Sequence, residues 1–437
     1  MTGIKKSLWT VLSIMLVAAL ALAGCGSNGS NAGSGKGAGT GTNSDGRNNA
    51  EEPAKQETIT MMTTGWWTTA APEEYGKKIE EATGVKVNFV LAPTNPDDMV
   101  AKKTTILSSG DDTVDILFTN DELITAFSRA GYLEPLQNDV MTPEVAGQFS
   151  EQYLKDIATY EGQIYSVPSF LEVLALWVNQ ELFNKAGLKP PTNQDEFLAA
   201  AKALTKDGVY GYGGSWEKSY VFNEIGTFIN LFGGDYFDWT NPKTQQALQF
   251  LYDMANKDKV TPLAQLADIY DPMIQKFIDG KYGMIYMYSG AIPTFEKAGK
   301  FGPGKLEMVP IPTFETDDMF MASWHYVLSK ASKKKEASKK VLQYLASKEG
   351  QLAYSELSSR LPARLDIIND PNFKGVGVDY IRGYIANSTL RGRPLVPQTM
   401  EFVNGIGSIF QKYVSDENDL SKTVELAQKE IERLAKR

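Results

Sequence analysis

Cysteine and histidine are almost missing from this sequence. The 437 residues include one of each, Cys25 and His325. A lone cysteine cannot close an internal disulfide. Histidine or thiol bases, zinc sites and Ser-His-Asp triads are short of their parts. A two-carboxylate glycosidase needs neither residue, and with 53 acidic residues that class stays open. No G-x-S-x-G elbow or phosphate loop falls where a strand meets a helix. Asp416-Glu417-Asn418-Asp419 and the pair Asp235/Asp238 are too irregular for a calcium loop and read as solvated turns. No motif asks for a metal or cofactor. Positive charge is the scarcer sign, 44 Lys and Arg leaving a net charge of −9. That balance argues against nucleic acid and against adhesion to anionic lipid through basic residues.

What is present begins with Lys5-Lys6 and the uncharged run Leu8–Ala23. The run is shorter than the roughly 20 residues of a spanning helix and reads as a secretory signal, residues 1–24. It ends in Leu22-Ala23-Gly24-Cys25, which resembles the bacterial lipobox, with Cys25 as the residue that would carry lipid. The alternative is an ordinary signal peptide with a chance cysteine. Residues 25–57 are mostly Gly, Ser, Asn and Thr and read as a flexible tether. The expected place is extracytoplasmic, anchored by lipid to the outer face of the cell membrane.

The remaining length allows two domains. Thr58–Thr64, Val85–Val90 and Val114–Thr119 read as strands alternating with helices, the pattern of a mostly parallel sheet with helices on both faces. Tyr160 to Pro168 reads as one strand ending at a proline, which cannot donate to a ladder. The apolar run Val173–Val178 is a strand of the kind buried on both faces. A short helix, the break Pro190-Pro191 and a second helix from Asn193 to Thr205 follow, Thr192 and Asp195 forming a capping box. This is how a chain leaves one α/β lobe and enters another. The tail, Leu420 to Arg437, repeats apolar residues at Val424, Ala427, Ile431 and Leu434 and reads as an amphipathic helix.

The same stretch resembles a family pattern: G-x-I/V-Y-G-L-P, then Y-N-K-x-L-F-x-x-A-G, then P-x-T-W-x-E-F-x-x-A-x-K-L-T. The chain matches at Gly162, Ile164, Tyr165, Pro168, Asn179, Leu182, Phe183, Ala186, Gly187, Phe197, Ala201 and Leu204-Thr205. It departs at Ser166, Trp177-Val178 and Asn193-Gln194. Ala130–Leu136 is similar to the family's G-x-L-x-P-L element, and Phe277–Met284 to its F-x-x-G-K-A-A-M. The pattern belongs to the extracellular solute-binding proteins of ABC importers, the sugar-binding group related to maltose-binding protein. The resemblance implies an α/β, two-lobe periplasmic-binding-protein-like fold of type II, with hinge crossings and a cleft between lobes. Crossings are expected near Pro168, at Met308–Pro312 and at Leu361–Arg364. The lobes would then be residues 58–168 with 315–361, and 169–314 with 362–437. It implies an oligosaccharide or other small solute as ligand, ABC permease subunits as partners, and a monomer. A ligand-presenting sensor lipoprotein and a secreted glycoside-acting enzyme are the competing readings.

A sugar site needs aromatic faces for C–H surfaces and planar polar groups for hydroxyls. Ligands of open α/β sheets sit at strand ends and domain boundaries. Those positions select Trp66, Trp67, Asn120, Asp121, Phe170, Glu172, Trp216, Tyr286, Tyr288, Trp324 and Arg360 as ligand-binding candidates. Each has a plainer reading. The tryptophans can be core, Asp121 can cap its helix, Arg360 can pair a surface carboxylate, and Glu172 can bond across the lobes. Trp177, inside an apolar strand, reads as core.

Overall fold

The structure is a computed structural model describing residues 56–65, 67, 72–94, 96–388, 390–396, 398–417 and 419–435. The signal segment, Cys25, nearly all of the tether and Trp66 lie outside the described residues.

Strand pattern decides sheet position. β1 (Thr58–Thr63) is covered along most of its length. β2 (Lys86–Leu91) alternates and takes the edge, and β3 (Ile116–Asn120) is buried up to its last residue. β1 runs parallel to both neighbours, the helices Pro72–Thr83 and Pro96–Ser108 returning the chain as parallel crossovers must. The segment expected as one strand before Pro168 is broken. β4 (Thr159–Tyr160) and β5 (Gln163–Ile164) form a hairpin turned at Glu161 and Gly162, with φ of 49° and 75°. A type I′ hairpin loop needs φ > 0 at both positions, and both residues adopt it, Gly162 freely and Glu161 against its steric preference. β6 (Ser166–Pro168) then forms an edge of the first sheet, where a proline is tolerated.

β7 (Glu172–Asn179) begins the second sheet and is buried at every residue but Glu172. β8 (Tyr210–Gly213) and β9 (Tyr282–Tyr288) extend the sheet on one side of it. β10 (Leu306–Val309) pairs with the C-terminal half of β7, and β11 (Met319–Ala322) with its first two residues. β12 (Trp324–Leu328) returns to the first sheet and inserts between β3 and β6, antiparallel to both. β13 (Leu390–Arg391) closes the second sheet beside β11. We call the bodies around the two sheets the first and second lobes.

The second crossing is therefore not at Met308–Pro312. β11 still pairs with β7, so the chain leaves the second sheet only at Ser323, and Pro310 and Pro312 lie in a loop within the second lobe. The other two crossings run side by side, Leu171 N donating to the Leu361 carbonyl at 2.9 Å. Around the first sheet Tyr75, Ile79, Val341 and Leu342 pack with Ile59, Met61 and Phe118. In the second lobe Trp177 is core, its ring 4.8 Å from Phe295, edge to face. The helix Gln194–Leu204 is capped one residue later than the Thr192 box expects. Asn193 Oδ1 accepts from Glu196 N at 2.9 Å, and the Glu196 carboxylate reaches back to Thr192 N and Oγ1, both at 2.8 Å. Asn is as good an N-cap as Thr or better.

Candidate functional site

β3 ends at Asn120 because the next residues, Asp121–Leu123, close into a turn of 3-10 helix. That turn aims two adjacent carboxylates at the second lobe. Arg393, two residues past β13, meets both. Its Nη1 donates to Glu122 Oε1 at 2.7 Å, and its Nη2 and Nε reach Asp121. Asn120 Nδ2 donates to the other oxygen of Glu122. Asp121 is buried, and burial pushes its carboxyl up to about 6 against the lowering pull of Arg393. It is thus still ionised at neutral pH, as a buried guanidinium partner requires. Behind it Tyr153 Oη lies 3.5 Å from Asp121 Oδ2 and 2.9 Å from His325 Nε2, while His325 Nδ1 is 2.9 Å from Ser166 Oγ. Burial holds His325 down to about 3. The imidazole is neutral, one ring nitrogen donating and the other accepting.

A cavity of about 280 Å³ opens in front of this ion pair, walled by both lobes. From the first lobe come Asn120, Glu122 and, on the helix Pro96–Ser108, Met99 and Val100. From the second come Tyr220, Asn223, Tyr270 and Arg393, with Met400 and Val403 of the helix Thr399–Lys412. Tyr220 and Tyr270 stand edge to face, ring centres 4.7 Å apart. Asn223 Nδ2 donates to Tyr270 Oη at 2.7 Å, and Tyr288 Oη donates to Asn223 Oδ1 at 2.9 Å. Aromatic edges, two planar amides and a fixed guanidinium therefore line one space. Among the described residues no group of three or more His, Cys, Asp or Glu is placed to hold a metal ion. The two adjacent carboxylates share one guanidinium, which fixes them in place and leaves oxygens able to accept from hydroxyls.

The sequence candidates divide three ways. Asn120 lines the cavity, Asp121 anchors its wall and Tyr288 orients Asn223. Phe170, Glu172 and Arg360 meet instead at the paired crossings. Arg360 Nη1 donates to Glu172 Oε1 at 2.5 Å, and its guanidinium lies 4.6 Å from the Phe170 ring centre. Ser359 turns the chain there in the left-handed region, φ 57°. Trp67, Trp216 and Tyr286 are placed in cores. Trp67 is packed by Tyr75, Phe89 and Tyr354 and donates to Tyr326 Oη at 3.0 Å. Trp216 is enclosed with its edge against Phe410, and Tyr286 sits among Phe197, Tyr212 and Phe228. Trp324 is half-buried and stacks on Phe118 at 5.0 Å. Sequence reasoning missed Tyr220, Asn223, Tyr270 and Arg393. The loop after β8 was among the positions selected, but its tryptophan was chosen and Tyr220, four residues on, is the one that lines the cavity.

Residues 64–352 match the family model described as bacterial extracellular solute-binding protein. An uncharacterized ABC transporter extracellular-binding protein of Pyrococcus horikoshii is 22% identical over 321 residues, 68% of this chain and 70% of its own. Maltose-bound MalE3 of T. maritima superposes with a TM-score of 0.70 at 21% identity, covering 86% of this chain and 99% of that one. A Thermotoga lettingae ABC transporter solute-binding protein bound with α-D-tagatose gives a TM-score of 0.71 at 23% identity, covering 86% and 99%. Two sheets joined by three crossings, a cavity between them and the family match lead to one conclusion: this chain belongs to the bacterial extracellular solute-binding proteins and has their two-lobe, maltose-binding-protein-like fold.

Proposed function

We propose that the protein is the substrate receptor of an ABC importer, that its solute is an oligosaccharide, and that lipid on Cys25 holds it to the outer face of the membrane. The observation that carries the sugar reading is the cavity wall itself. Tyr220 and Tyr270 offer ring surface to C–H groups, and Asn120 and Asn223 offer paired donors and acceptors to hydroxyls. The maltose and tagatose bound by the two structural neighbours support it. At about 280 Å³ the cavity lies just under the roughly 300–1,000 Å³ of small-molecule sites.

The mechanism follows from where the contacts lie. A solute touching Asn120 and Tyr270 at once gains both sets of contacts only when the lobes are together, so it stabilises the closed form by that difference. The closed form is the one that docks on permease subunits. Isothermal titration of the mature protein against an oligosaccharide panel tests the proposal. Heat with at least one glycan is expected. Heat with a peptide or amino acid and with no glycan overturns the sugar reading. For the anchor, Cys25→Ser is expected to release the protein from membranes into the medium, and retention of the variant would rule the anchor out.

A further inference from the structure

Part of the cavity wall is aliphatic, and hydroxyls have no use for it. Met99 and Val100, neighbours on the helix Pro96–Ser108, bring it from the first lobe. Met400 and Val403, one turn apart on the helix Thr399–Lys412, bring it from the second. Met99 and Val100 are partly buried against the core, and Met400 is 36% exposed. The fifth apolar lining residue, Phe222, is differently placed, because the Arg393 guanidinium already lies 5.6 Å from its ring centre.

A sugar with hydroxyls all round its rim suits the tyrosines and amides of this cavity. A hydroxyl turned to methionine or valine, however, gives up water with nothing in return. A methyl turned there gains by leaving water, and the unbranched methionine chains fit themselves to its shape. The polar groups beside the aliphatic patch suit an amide. Asn120 Oδ1, met by Thr119 Oγ1 at 3.4 Å, has a lone pair to spare. Asn223 Nδ2 has a second hydrogen beyond the one given to Tyr270 Oη. Acceptor, donor and aliphatic surface in one cavity match the N–H, the carbonyl and the methyl of an acetamido group.

We propose that Met99, Val100, Met400 and Val403 form a subsite for the acetamido group of an N-acetylhexosamine, so that the protein prefers an acetamido-bearing oligosaccharide to its hydroxyl counterpart of the same linkage. This rests on the sugar reading above and deepens it. Since each lobe supplies half of the patch, the methyl is enclosed from both sides only with the lobes together, which adds to the preference for the closed form. Titration calorimetry on the mature protein with matched pairs, triacetylchitotriose against cellotriose and N-acetyllactosamine against lactose, tests it. In at least one pair the acetamido member is expected to bind about tenfold or more tightly. Met400→Ser, a change at an exposed side chain, should cut that ratio about threefold or more, and Met99→Ser should cut it too. Leu426→Ser, equally exposed but not part of the cavity wall, should leave the ratio as it is. A ratio of one or less in both pairs, or a ratio that neither methionine variant lowers, overturns the subsite. So does tighter binding of the fully deacetylated chitotriose than of the acetylated one, which would hand selection to Asp121 and Glu122. Absence of heat with both acetamido members overturns it as well. Heat with other glycans then leaves the sugar reading standing and removes only the subsite, whereas a peptide binding where all glycans fail removes both.

Discussion

The chain's one imidazole is spent on holding the first lobe's wall in place. His325 sits between Ser166 Oγ and Tyr153 Oη, and burial keeps it neutral down to about pH 3. Its ordinary pKa is about 6.5, so between those values the unfolded chain binds a proton that the folded chain refuses. Stability contributed by the neutral ring is present above about pH 6.5 and falls, by up to ~1.4 kcal/mol per unit, as pH drops toward 3. Glu224 runs the other way. Burial raises it to about 7, so its contribution is present at low pH and lost as pH rises through 7. Urea unfolding at pH 6.5 and 4.5 should show a smaller acid loss for His325→Asn than for the unaltered protein. An identical loss would mean the imidazole does not titrate on unfolding. At the cavity, Tyr220→Ala should weaken solute binding about tenfold, a loss of ~1.4 kcal/mol, with an unchanged melting temperature in the solute-free protein. At this scale the sequence spoke unevenly. Asn120 was readable as a strand-end amide. Trp216 was chosen over Tyr220, yet Phe410, far along the chain, covers the indole while Tyr220 faces the cavity, and no local pattern announces a remote lid. Arg393 was hidden for a like reason, since only the pairing of β13 with β11 brings it to Asp121.

Elements were read best where their signal is local. Helix limits and the parallel run β1 to β3 follow from periodicity, caps and turn residues. The hairpin at Glu161-Gly162 and the crossing at Ser323 did not, because each depends on which ladder a short strand joins. Asn193→Ala should cost about 1 kcal/mol through the lost cap. It should appear as a lower denaturation midpoint with an unchanged m-value. Gly290 supports a stronger test. A methyl there would lie 1.9 Å from Glu172 Oε1, so Gly290→Ala must drive Glu172 off Arg360. The atoms displaced are the free end of that side chain, so the expected destabilisation is that of the part-exposed ion pair, about 1 kcal/mol or less. It should largely disappear when Glu172 is first shortened to Ala. A full penalty on that background would place the clash elsewhere.

For the whole molecule, the contact between lobes is concentrated at Arg393. Thr399 Oγ1 donating to the Glu122 carbonyl at 3.2 Å and Gly392 N to Asp156 Oδ2 at 3.0 Å stand beside it. Removing the guanidinium alone strands two carboxylates, a loss of the order of 3–5 kcal/mol when a buried pair is broken. Arg393→Met should therefore enlarge the radius of gyration in solution scattering at saturating solute. Asp121→Asn with Glu122→Gln on that background should reverse part of the change. An unaltered envelope for Arg393→Met would move the tie between lobes to the Glu172–Arg360 pair. The two-lobe plan itself was legible, carried by motifs along most of the chain, while the boundary between lobes had to wait for the pairing of β11.

The insertion of β12 between β3 and β6 has a consequence for how the polypeptide matures. Until residues 324–328 emerge, those two strands have no partner for their facing edges, and the other sheet still lacks Leu390–Arg391. A nascent chain cut anywhere before that point owns neither finished half. For a polypeptide delivered in extended form to the extracytoplasmic side, as the proposed location implies, neither sheet could be completed until Leu390–Arg391 had followed.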